Sequence, residues 1–169
     1  MKNTVGRVSV LALAACLILV ALPTQSSPGG PAGPFQYHSL TPCRLVDTRV
    51  AGGTGGIPVG NGSPIVGTGT TRTFTAQGNC AVPAGAAAVT INSTAVGPTG
   101  VGFLTLFPTG ITVPTVSNLN FNAGEPALGN GAIVPLAATT PDLSLYAKVG
   151  PVTGTGTAHV VIDVTGYFQ

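Results

Sequence analysis

The chain has 169 residues, yet only ten of them are Lys, Arg, Asp or Glu. Twenty-five glycines, fifteen prolines and no tryptophan make it uncharged and rich in turns. So sparse a charge set excludes nucleic-acid recognition, which needs a stripe of Lys and Arg to neutralise phosphates.

Lys2 and Arg7 come first, before an apolar run from Val8 to Leu22 and a polar, turn-forming stretch. That order predicts a secretory signal peptide over residues 1–27. The run is shorter than the roughly 20 apolar residues of a membrane span. "LAAC" at 13–16 also fits a bacterial lipoprotein box, which would put a lipid on Cys16. The residues after Cys16 stay strongly apolar, which favours ordinary cleavage near Ser26 or Ser27. Membrane attachment is therefore expected only through the signal peptide or, in the alternative, through lipidation at Cys16. Without the leader, Arg44, Arg49, Arg72 and Lys148 balance Asp47, Glu125, Asp142 and Asp163, and the net charge is zero. A neutral surface lacks the repulsion that keeps copies apart.

Residues 28–34 read as a flexible lead-in, and residues 35–169 as one all-β domain. "TPCRLVDTR" at 41–49 crowds Arg44, Asp47 and Arg49 together. Residues 50–71 are too glycine-rich for a packed strand and predict a long surface loop. Strands are expected over 72–78, 86–96, 102–108, 116–122, 131–136, 142–149 and 158–168. The segment 86–96 alternates, with Val89, Ile91, Ser93 and Ala95 on one side. The turn "GPTG" at 97–100 predicts that it forms a hairpin with 102–108. In 116–122, Leu119 and Phe121 oppose Asn118, Asn120 and Asn122. Pro135 marks 131–136 as an edge or a bulge. In 142–149, Leu143, Leu145 and Ala147 oppose Ser144, Tyr146 and Lys148. The last segment, "AHVVIDVTGYF", is β-branched on both faces. Short strands at this spacing, without helical periodicity, predict an antiparallel β-sandwich of jelly-roll or immunoglobulin-like type.

Cys43 and Cys80 remain once the leader is gone. An even count in an oxidising compartment predicts one disulfide between them. Closing a loop of that length stabilises by about 4 kcal/mol on the chain-entropy estimate.

The three charges of 41–49 suit an anion site, or a carboxylate with electrostatic helpers, or an internal clasp. Asp163 decides for the clasp. It stands inside "VVIDV", where a carboxylate in a buried strand needs a partner, and an arginine fork matches a carboxylate with two bonds. The expected clasp joins Arg44, Asp47, Arg49 and Asp163, with Arg44 or Arg49 on Asp163 and Asp47 accepting from the other arginine or from backbone amides.

Catalytic candidates are few. No G-x-S-x-G elbow, P-loop, G-x-G-x-x-G or H-E-x-x-H occurs. His38 and His159 have no nucleophile or metal ligand at a telling spacing. Glycosidase chemistry needs two carboxylates flanking one bond, and the chain has four acids in total, one of them committed to the clasp. No catalytic residue, cofactor or metal site is expected. "NST" at 92–94 fits a glycosylation acceptor but falls within an expected strand, so Asn92 reads as structural.

"TPCRLVDTR" (41–49), "CAVPAGAAAVTINSTAVGPTGVGFLTLFPTG" (80–110), "SNLNFNAGE" (117–125) and "HVVIDVTGYF" (159–168) occur in that order. Together they resemble a family of secreted bacterial β domains marked by P-C-R-L-x-D-T-R near the start and D-V-x-G-Y-F at the end. "GPTG" departs from the Asn-Pro-Thr turn usual there. The resemblance implies a β-sandwich, outside the cell or on its surface, with no catalytic residues to carry over. It also implies that the Arg/Asp start and the Asp end belong together.

Three functions remain in play. The first is a non-catalytic, secreted or cell-surface structural or interaction domain that self-associates. The second is an extracellular module for cell-envelope polysaccharide, resting on the outward Asn and Thr side chains of 86–96 and 116–122. The third, a hydrolase, is disfavoured by the thin catalytic inventory.

Overall fold

The computed structural model of the protein describes residues 34–51, 65–66, 69–150 and 156–169. The expected signal peptide, Cys16 and most of the lead-in lie outside the described residues. Nine strands are present among the described residues: β1 (Tyr37–Asp47), β2 (Ile65–Val66), β3 (Thr70–Phe74), β4 (Ala88–Val96), β5 (Gly102–Pro108), β6 (Leu119–Phe121), β7 (Ala127–Pro135), β8 (Leu143–Val149) and β9 (Thr157–Phe168). No helix occurs among the described residues.

The strands form two antiparallel sheets. One runs β1-β9-β4-β7, with the short β2 also on β9, and the other runs β3-β8-β5-β6. Leaving β2 aside, the first strand pairs with the last, and successive inner strands pair likewise: β3 with β8, β4 with β7, β5 with β6. A long antiparallel ribbon rolled up in this way is a jelly roll, so the sandwich is of that type.

The jelly roll overturns the expected hairpin of 86–96 with 102–108, because β4 and β5 lie in different sheets. The "GPTG" link is bound to other strands, with Gly97 N donating to Pro126 O and Thr99 N to Thr157 O. It is a crossover. A short Gly/Pro link closes a hairpin only if both strands can share one sheet, and β5 is instead held between β8 and β6. Its outer side chains Thr105 and Phe107 are buried along with the inner Leu104 and Leu106. The expected 50–71 loop contains Ile65 and Val66, which pair with β9, and Thr70 and Thr71, which open β3. The predicted edge strand begins earlier than expected, at Ala127, and does form a sheet edge.

Alternation elsewhere fixes the faces. Val89, Ile91, Ser93 and Ala95 of β4 point inward, and Leu119 and Phe121 of β6 flank exposed Asn120. Leu143, Leu145, Ala147 and Val149 of β8 meet them in the core, with Val160, Ile162 and Val164 of β9. A bulge in β9 then changes the phase. Thr90 of β4 faces Gly166 while Ile91 faces Val164, which leaves Thr165 as the extra residue. One extra residue flips the strand. Tyr167 therefore follows Val164 onto the core side, and Gly166 turns outward beneath the Tyr37 ring, which would meet a Cβ at 2.5 Å.

Candidate functional site

The charged cluster of 41–49 sits on the outer face of the first sheet, along β1. Arg44 stands opposite Asp163 in the β1–β9 register. Its Nε donates to Asp163 Oδ1 at 2.8 Å and its Nη2 to Oδ2 at 3.1 Å. Asp47, one turn of the pleat further on, takes Arg49 through Nε at 2.8 Å and Nη2 at 2.6 Å. It also accepts the Arg49 backbone N–H at 3.1 Å and Arg44 Nη1 at 3.3 Å. Arg44 thus links the two carboxylates into one network. Register shifts on either side of Arg44 allow this. The one between Arg44 and Val46 lets Leu45 and Val46 both enter the core while Arg44 and Asp47 share the outer face.

The burial differs from the expectation. Asp163 is outward, with 24% of its side chain exposed, and the deeply buried carboxylate is Asp47, at 5%. Burial on its own would raise the pKa of Asp47. The Arg49 fork outweighs it, helped by the Arg49 backbone amide and the charge of Arg44, and holds the carboxyl down at about 2. Reciprocally, Asp163 raises the pKa of Arg44 and Asp47 raises that of Arg49. A carboxylate so low and so fully occupied is a poor proton acceptor, so Asp47 is ill suited to act as a general base. Thr48 continues the clasp inward, its N–H and Oγ pairing with the backbone of Val160.

Cys43 and Cys80 form a disulfide across a separation of 37 residues. It fastens β1 of the first sheet to the connection that leaves β3 of the second. Cys80 and Ala81 both have positive φ, in a turn closed by Gly78 N to Val82 O. His38 stacks on Tyr167, ring centroids 4.8 Å apart, and His159 Nδ1 lies 3.1 Å from Thr48 Oγ. Among the described residues, no three His, Cys, Asp or Glu side chains gather as for a metal ion.

Two features were not anticipated. Asp142 is fully buried, and its carboxylate accepts the backbone N–H groups of Ala76 and Gln77 at 2.7 and 2.8 Å. These bonds end β3 and turn the chain toward the disulfide. Nothing in "TTPDLS" signals that role. The second feature is a groove on the outer face of the second sheet. Phe103 and Tyr146, centroids 5.9 Å apart, form its floor beside the Val113–Ser117 segment, around a space of about 440 Å³. A second hollow of about 370 Å³ shares Phe103 and Asn120 with it and reaches Lys148 and Asn122. Asn120 therefore does line a groove. Asn92 and Thr94 lie on the opposite sheet, hydrogen-bonded to each other, so the two outward polar rows do not converge.

No protein-family profile, curated protein or solved structure matches the chain.

Proposed function

We propose that the protein is a non-catalytic structural and interaction domain, secreted or held at the cell surface, that self-associates. The observation that carries this reading is the closure of the charged cluster. Arg44, Asp47, Arg49 and Asp163 spend their charge on one another, so the densest group of titratable side chains is tied into the sandwich. Apart from that cluster and from Arg72, Glu125 and Lys148, what the described residues offer outward is uncharged: Gly, Thr, Asn and a few apolar side chains. The balance of four basic and four acidic residues beyond the leader supports association between copies. Light scattering on the oxidised domain leaving a sizing column tests it. A mass of more than one chain that grows with concentration is expected, and a single-chain mass at every concentration would overturn it.

The aromatic groove supports a second reading, a module for neutral cell-envelope polysaccharide. Phe103 and Tyr146 give apolar faces for sugar rings, and Asn120 gives an amide for hydroxyls. Jelly rolls serve both as capsid subunits and as lectins, so the fold itself chooses neither reading. Depletion on insoluble cell-wall glycan tests this second reading. Retention lost in Phe103→Ala supports it, and no retention of the wild type rejects it.

A further inference from the structure

Leaving the two-residue β2 aside, the two sheets have four edges among the described residues, and three of them are protected against strand pairing. β1 carries Arg44 and Asp47 and two register shifts. β6 is only three residues long. β3 is five residues long and carries Arg72. Charge, irregularity and shortness are the devices by which sheets avoid joining edge to edge. β7 has none of these three; its edge proline, Pro135, stands at the last position of the strand. It is nine residues long, "ALGNGAIVP", without a charge and without a shift in its register with β4. Every residue from Ala127 to Gly131 is exposed, and Ile133 is 62% exposed.

The hydrogen bonding shows which groups of β7 have no partner among the described residues. Leu136 N donates to Ala87 O, and Pro126 O accepts from Gly97 N. Even-numbered residues therefore face β4. In an antiparallel ladder the direction alternates, so Ala127, Gly129, Gly131 and Ile133 turn their N–H and C=O groups to the open edge. Pro135, which has no N–H, also faces outward and so costs the ladder nothing. Asn130 is fastened the other way, its Nδ2 donating to Asn118 O at 2.6 Å.

We propose that β7 pairs with β7 of a second copy of this chain, antiparallel about a twofold axis at Asn130. This rests on the self-association reading and names its surface. In that register Ala127 meets Ile133 of the other copy and Gly129 meets Gly131. Four residues on each chain then give every free N–H a carbonyl, eight bonds in all, and the two first sheets become one continuous sheet. The free groups are their own complement under a twofold, which is what an isologous interface requires. Gly129 and Gly131 put no side chain into the joint, and no charge on either strand opposes it.

The register is testable. Asn130 would face its own copy as a non-hydrogen-bonded pair, with Cα atoms about 4.5 Å apart, inside the range a disulfide spans. In the full secreted chain, Asn130→Cys is expected to form an interchain disulfide under mild oxidation, whereas Thr71→Cys on the β3 edge does not. A second variant, Gly131→Lys, puts like charges beside the axis. A Cβ there meets nothing nearer than Ile91 O at 3.8 Å, so the single chain tolerates it. Its melting temperature is expected to stay unchanged while self-association weakens at least tenfold. An oligomer that Gly131→Lys leaves intact, or that Asn130→Cys cross-links no faster than Thr71→Cys, overturns the β7 pairing and leaves the self-association reading standing. A wild-type protein that is a single chain at every concentration removes both.

Discussion

Arg44 and Asp163, 119 residues apart in sequence, face each other across β1 and β9 with two parallel hydrogen bonds between guanidinium and carboxylate. The first and last strands of the jelly roll are thereby matched in charge as well as in backbone register. Both side chains are partly exposed, so the pair adds to stability modestly. A double-mutant cycle with Arg44→Ala and Asp163→Ala is expected to give a coupling of about 1 kcal/mol in urea unfolding. The coupling is expected to fall in high salt.

Asp47 gives the stability a pH dependence. Its folded pKa of about 2 lies below the ordinary carboxyl value of 3.8. A depressed carboxyl contributes stability above its unfolded pKa and loses that contribution as pH falls through the folded one. The wild type is therefore expected to lose about 2 kcal/mol through this group between pH 5 and pH 2. Asp47→Asn lacks that component. Thermal melts of the two proteins across this range are expected to converge as the pH falls.

The disulfide joins β1 to the turn after β3, so its loss frees a long loop in the unfolded chain. Reduction is expected to lower the unfolding free energy by about 4 kcal/mol. Denaturation with and without reductant measures it.

Asp142 closes the end of β3 through the amides of Ala76 and Gln77. Removing the carboxylate leaves both buried donors without their acceptor. Asp142→Ala is expected to cost about 3 kcal/mol in urea unfolding, more than the exposed Arg44 pair contributes.

The faces of the sandwich were legible in the sequence where a strand has one buried side. Val89, Ile91, Ser93 and Ala95 show this in β4, and Leu119 and Phe121 in β6. Connections were less legible. "GPTG" carries turn residues, but whether a turn returns to its own sheet depends on which partners the flanking strands find. β1 shows no alternation because its register with β9 shifts twice, at the residues that place Arg44 and Asp47 together. The clasp could be found from Asp163 because branched apolar neighbours make a carboxylate conspicuous. That its depth belongs to Asp47 could not, since "LVDTR" looks like a turn. Asp142 stayed hidden for the same reason: a buried carboxylate whose partners are backbone amides needs no charged partner in the sequence. Gly166 is explained only by the bulge at Thr165, which brings Tyr37 over it.

The charged cluster is expected to hold the sandwich together rather than to stand open to a ligand. Urea unfolding of Asp47→Asn at pH 7 tests it most directly. The substitution keeps the size of the side chain and removes the charge that both arginines share. Breaking so buried an ion pair is expected to lower stability by at least about 2 kcal/mol. An unfolding midpoint equal to that of the wild type would contradict the clasp and return Arg44 and Arg49 to the surface as anion-binding groups.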